Sequence, residues 1–203
     1  MRTDPMPADL VETAHKRLWA AAEDLDPNRI AGIVGELAEE SGVAPLWDQV
    51  CVPVLGALSG WAASEIAVEH ALSEGVRVGL DVHRRLSRRP YPPDGVLLAG
   101  AEQELHCLGL HALAAALREQ GRGCLLLGPA LPWVALAGAV QRARPHTVVV
   151  WSQTPVTGRA YRLIRFAREF PSVRVLAAGP GWIEALPAPI TLLSGLVPAV
   201  RAC

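Results

Sequence analysis

Within residues 101–109, Glu104, His106 and Gly109 form an ExHxxG pattern. A neutral imidazole is a good ligand for a mid-row transition metal such as cobalt. A carboxylate two residues earlier can accept the other ring N–H, which fixes the tautomer and raises the basicity of the ligating nitrogen. Gly109 would let the first turn of a helix pass close to a bulky ligand. Two later patterns belong with it. Ser152-Gln153-Thr154 offers two hydroxyls in an SxT arrangement, and Gly179-Pro180-Gly181 offers two glycines where backbone can approach a flat or buried group. Each has an ordinary reading when taken singly: a polar helix start with Glu104 at the positive end of the dipole, a hydroxyl cap, a turn. Their weight comes from occurring in order, each at the end of a short aliphatic run.

Those runs define the elements that must hold the three patterns. Val96–Gly100, Cys124–Gly128, Thr147–Ser152, Val173–Gly179 and Ile190–Leu193 read as strands. The stretches His106–Gln120, Pro132–Arg142 and Gly158–Phe170 read as helices between them, and Leu196–Ala202 as a closing turn. Such alternation predicts a parallel sheet with helices on both faces. Ligands bind such sheets at the carboxyl ends of the strands, beside the point where the strand order reverses.

The first part of the chain has a different period. Leu10, Ala14, Leu18 and Ala21 recur at helical spacing, and Asp26-Pro27 predicts an N-cap with proline at the first helical position. Ile30, Ile33, Val34, Leu37 and Ala38 share one face of a second helix that Ser41-Gly42 ends. A third helix is expected from Ala44 to Trp61, bent at Pro53, and a fourth from a Ser64 cap to Leu86. Short connections between four helices predict an antiparallel bundle. Gly75 and Gly79 on the fourth would allow close helix packing. The proline-rich stretch Ser87 to Gly95 breaks any helix. The expected organisation is therefore a helical bundle over 6–87 and a Rossmann-like, flavodoxin-like parallel-sheet domain over 95–203.

Composition excludes several classes. The chain is 51% apolar and carries a net charge of -1, so no basic face covers the whole protein. The cluster from His83 to Arg89 reads as a solvated linker. No apolar run is long enough for a membrane span, and no secretory signal precedes the first helix, which points to a cytoplasmic protein. Cys51, Cys107, Cys124 and Cys203 form no CxxC pair, so neither a zinc site nor a disulfide framework is expected. His15, His83, His111 and His146 have no partners at recognisable spacing. There is no serine–histidine–acid set and no P-loop, and an enzyme is not expected.

The three strand-end patterns, in this order, resemble the cobalamin-binding Rossmann-like domain, whose family carries a D/ExHxxG motif, an S-x-L/T motif and a glycine pair. The resemblance implies that His106 is the lower axial ligand of cobalt, displacing the cofactor's own dimethylbenzimidazole, with Glu104 orienting it. The detached nucleotide tail would lie in a slot lined by Gly109, Ser152, Thr154, Gly179 and Gly181. In the first half, Pro53-Val54-Leu55, Trp61 and the pair Glu69-His70 resemble the helical cap of the CarH/LitR light-responsive regulators. By that resemblance Trp61, Glu69 and His70 form the pocket on the cofactor's upper face, and adenosylcobalamin is the expected form. This sequence departs from that family in two respects. The interval from Pro53 to His70 is shorter, and Ala62 stands where the photoreceptors have a histidine that ligates cobalt after illumination. No winged-helix DNA-binding segment precedes the first helix, so direct contact with nucleic acid is not expected.

The leading expectation is a cobalamin-binding sensor, light-responsive through adenosylcobalamin. It would signal through a protein partner such as a transcription regulator, or through homo-oligomerisation. A corrinoid methyl carrier serving separate methyltransferases is the alternative; such carriers usually continue their histidine motif as DxHDIGKN, whereas here it runs His106-Cys107-Leu108-Gly109-Leu110-His111. A third possibility is a scaffold that kept the fold and lost the cofactor.

Overall fold

The computed structural model describes residues 4–58, 65–86 and 95–203. Trp61, the Ser64 cap and most of the proline-rich stretch lie outside the described residues. Two compact units are present, one within 1–89 together with Arg118–Gln120, the other within 90–117 and 121–203. Among the described residues no helix is long and apolar enough to cross a membrane.

The helical unit comprises α1 (Ala8–Glu23), α2 (Pro27–Ser41), α3 (Val43–Leu46), a π-helical turn at Trp47–Cys51, α4 (Val52–Ala57) and α5 (Ile66–Leu86). The start of α2 is as expected: Pro27 occupies the first turn, and the Asp26 carboxylate accepts the N–H of Arg29 at 2.9 Å. Gly42, with φ of 89°, ends it. Ile30, Ile33, Val34, Leu37 and Ala38 are buried along one face of α2, as their spacing predicts. Gly75 and Gly79 explain how closely α5 packs on α2. A Cβ on Gly75 would overlap the Ile30 side chain, and one on Gly79 would lie 2.7 Å from Val34 Cβ.

The third helix is not the single bent rod expected. It is interrupted by the π turn immediately before Pro53. Proline has no N–H to give the carbonyl four residues back, here that of Gln49. His15 Nε2 lies 2.9 Å from that carbonyl oxygen and donates to it. This gives His15, which had no partner at sequence spacing, a role in accommodating the break.

The second unit is a five-stranded parallel sheet in the order β2-β1-β3-β4-β5. Its strands are β1 (Val96–Gly100), β2 (Leu125–Leu126), β3 (Thr147–Trp151), β4 (Arg174–Ala178) and β5 (Thr191–Leu192). The helices are α6 (Leu108–Glu119), α7 (Trp133–Ala143), α8 (Ala160–Glu169) and α9 (Leu196–Ala202). All five residues of β1 are buried, as befits a parallel strand covered on both faces. One face packs Leu97, Ala99, Val148, Val150, Val175 and Ala177 against Leu136 and Val140 of α7 and Leu163 and Phe166 of α8. The edge strands β2 and β5 are shorter than the sequence runs, because each has only one neighbour to extend its ladder. The closing turn is in fact a helix: Arg122 and Arg174 donate to the carbonyls of Val200 and Ala202 at its end, at 3.3 and 2.9 Å, where cations also oppose the helix dipole.

Register determines what comes next. Gly100 pairs with Trp151, and Trp151 with Ala178. The loops after β1, β3 and β4 therefore leave the sheet at one level, and the order reverses between β1 and β3.

Candidate functional site

Glu104 sits at that reversal, on the loop after β1, with its side chain only 1% exposed. The backbone anchors it on both sides: its N–H donates to Ala101 O at 2.9 Å, and its own carbonyl accepts from Ala130 N at 2.7 Å. Gln103 just before it has a φ of 68°, an uncommon conformation for a residue with a side chain, and it turns the loop inward.

Both carboxylate oxygens of Glu104 are used. Oε1 accepts the backbone N–H of His106 at 2.9 Å and lies 2.8 Å from His106 Nδ1. Oε2 accepts the N–H of Gln153 at 2.8 Å, the N–H of Thr154 at 3.3 Å and the hydroxyl of Thr157. Burial alone would push this carboxyl up. The hydrogen bonds from the Thr157 hydroxyl, from the backbone at His106 and Gln153 and from the His106 ring outweigh it and hold Glu104 below the usual carboxylate range. An ionised carboxylate only accepts, so His106 Nδ1 carries a proton; in the neutral imidazole this leaves the lone pair on Nε2. The His106 side chain is 67% exposed, and among the described residues its Nε2 has no hydrogen-bond partner. Its ring borders a depression of about 210 Å³ together with Gln103, Leu105, Thr154, Val156 and Thr157. Leu105, Val156 and Ile183, on the loops after β1, β3 and β4, are all highly exposed.

Beneath this rim Ser152 is completely buried. Its Oγ lies 2.7 Å from Thr157 Oγ1 and donates to Thr154 O at 2.9 Å in the alternative orientation. The glycine pair closes over it. Gly181 N–H donates to Ser152 O at 2.9 Å, and a Cβ at Gly179 or Gly181 would overlap Ser152 or Thr154. Gly158 is held in the same way, against Gly181 O and Ser152 Oγ. The close approach at Gly109 is to the indole of Trp151, which a Cβ there would overlap.

The structure thus brings together Glu104, His106, Ser152, Thr154, Gly179 and Gly181, with Gly109 joined through Trp151. Glu69 and His70 lie on α5 in the helical unit; Glu69 Oε1 accepts the Ser73 hydroxyl at 2.6 Å, and the His70 side chain is 75% exposed. Trp61 is outside the described residues. Thr157 was missed in the sequence. Its hydroxyl links Glu104 to Ser152, and the available signal was a third hydroxyl residue in the loop that carries the SxT pattern.

A cobalt macrocycle fits the donor set at the rim. Among the described residues no group of three His, Cys, Asp or Glu side chains could hold a bare metal ion. One imidazole suffices only for a metal whose other positions are filled by its own cofactor. The slot beneath is less open: every residue assigned to it is in contact with protein.

No protein-family model matches the sequence, and no curated protein matches it. Solved structures do. The monomethylamine corrinoid protein of Methanosarcina barkeri is similar with a TM-score of 0.62 at 15% identity, over 96% of this chain and 94% of that one. The methanol:cobalamin methyltransferase complex MtaBC from the same organism gives 0.47 at 14% identity, over 97% of this chain and 79% of that one. A cobalamin-binding protein from Desulfitobacterium hafniense DCB-2 gives 0.44 at 16% identity, over 97% and 98%. The first establishes the fold: helices followed by a Rossmann-like parallel sheet, in the arrangement of elements found in a corrinoid protein.

Proposed function

We propose that the chain binds a corrinoid, with Nε2 of His106 as the lower axial ligand of cobalt, and serves as a cobalamin-dependent sensor that signals through a protein partner or by self-association. One observation carries the corrinoid reading. A single exposed imidazole, oriented by a buried carboxylate, stands at the strand-order reversal, and among the described residues no group of three potential metal ligands surrounds it. Glu104 holds the ring and keeps the ligating nitrogen basic. The backbone N–H groups of Gln153 and Thr154 and the Thr157 hydroxyl hold Glu104. The exposed side chains of Leu105, Val156 and Ile183 suit an apolar macrocycle and would exclude water from its lower face. When bound, the cofactor supplies a cobalt–carbon bond that light can break or a methyl group that can be transferred. In the sensor reading, loss of the upper ligand shifts the population of packing states and so changes an interface. The Glu69-His70 pair and the absence of a DxHDIGKN continuation support it.

A methyl-carrier role is the second reading. It is favoured by the likeness in fold to the monomethylamine corrinoid protein over nearly the whole of both chains. The test adds adenosylcobalamin and methylcobalamin separately to the purified chain in the dark, removes free cofactor, and records spectra and elution volume before and after green light. The sensor reading expects retained colour with a light-dependent change in spectrum and oligomeric state. Retention of the methyl form without any light response in size supports the carrier. Colourless protein in both arms overturns corrinoid binding and leaves an interaction scaffold.

A further inference from the structure

Trp151 ends β3, one residue before Ser152. Its indole is wedged between the first turn of α6 and the loop after β4. A Cβ on Gly109 would overlap ring atoms Cη2 and Cζ3, and one on Gly179 would come within 3.1 Å of Cδ2. The two glycines thus leave room for one flat group, and in this chain that group is the protein's own. The indole Nε1 is buried with no hydrogen-bond partner, whereas Trp182, on the loop after β4, donates its Nε1–H to Ala178 O at 2.9 Å. A buried donor left unpaired is destabilising. The residue as a whole is only partly buried.

Resting on the corrinoid reading above, we propose that Trp151 is a specificity-determining plug. It occupies the space between Gly109 and Gly179 that a detached nucleotide tail would enter, so the chain discriminates against corrinoids that carry a nucleotide loop. A corrinoid without that loop meets His106 at the rim and leaves the indole in place. A complete cobalamin has to displace the indole before its tail can be seated. Gly109 and Gly179 serve this purpose in either state, because a side chain at either position would collide with whatever flat group lies between them.

The experiment titrates diaquocobinamide and aquocobalamin separately into wild-type protein, Trp151→Ala and Trp151→Phe, and reads affinity from the visible spectrum. Circular dichroism establishes that each variant is folded. Trp151→Ala is expected to bind aquocobalamin about tenfold more tightly than wild type, equivalent to about 1.4 kcal/mol, with cobinamide affinity unchanged. Trp151→Phe retains a ring in the slot and is expected to keep the wild-type preference; if the alanine variant does not fold, Trp151→Leu takes its place. Aquocobalamin affinity that is unchanged or lower in the alanine or leucine variant overturns the plug while the corrinoid reading stands. Failure of both corrinoids to bind any folded form overturns the corrinoid reading, and the plug with it.

Discussion

The Glu104 carboxylate, almost completely buried, lies 2.8 Å from Nδ1 of the largely exposed His106 ring. The pairing orients a surface histidine: Nδ1 is tied to a buried carboxylate, and the rest of the ring stays largely exposed. The same carboxylate is held from the far side by the loop after β3, so the aim of the imidazole depends on two loops that the sheet register places at one level. Replacing Glu104 by Gln keeps the volume but loses the charge, and Glu104→Ala loses both. Each is expected to weaken corrinoid affinity by about 10- to 100-fold, with alanine the worse. Spectrophotometric titration measures this; wild-type affinity in both variants would remove Glu104 from the orienting role.

Thr157 allows a separate test of the inner network. Its hydroxyl donates to Glu104 and contacts Ser152 Oγ. Thr157→Val keeps the shape and deletes the bond. Hydrogen bonds to charged groups are worth about 1.5–3 kcal/mol, and a loss of that size is expected in urea unfolding. A fully stable valine variant would show that the contact is dispensable.

The glycines of the helical unit predict opposite signs. Gly75→Ala drives a methyl into Ile30 and the Pro27 carbonyl, and overpacking of this kind costs about 1–3 kcal/mol. Gly32→Ala meets nothing within 4 Å and is expected to stabilise α2 by up to about 1 kcal/mol through helix propensity. Chemical denaturation of the two variants checks the pair, and equal effects would contradict the packing described.

Burial pushes the Cys51 thiol from 9.0 up to about 12. The folded state favours the protonated thiol, so this contribution to stability is complete below 9.0 and is lost as the pH rises from 9.0 towards about 12. Melting temperatures measured across that range should fall less steeply for Cys51→Ala than for wild type. Parallel curves would contradict the burial of an ionisable thiol there.

The strands and the ExHxxG loop were legible because buried parallel strands read as aliphatic runs and their ends mark where a ligand can sit. The Asp26-Pro27 start of α2 was legible for a local reason, since a cap and a proline act within one turn. The π turn before Pro53 was not, because its partner is His15 on another helix. Thr157 was missed for a similar reason: its role exists only once β1 and β3 lie side by side. Gly109 was read as making room for a ligand, and the structure puts Trp151 there. Spacing reports that a close approach is needed but does not identify the approaching group.

Whether His106 nitrogen binds cobalt can be read directly by electron paramagnetic resonance of the protein loaded with cobalamin and reduced to cobalt(II). Protein grown with 15N-labelled histidine and given unlabelled cofactor is expected to show each cobalt line split as a doublet, and unlabelled protein as a triplet. His106→Ala should lose the label-dependent pattern. A triplet that persists in the labelled protein would mean that the cofactor's own base remains on the metal, and would contradict the assignment of His106.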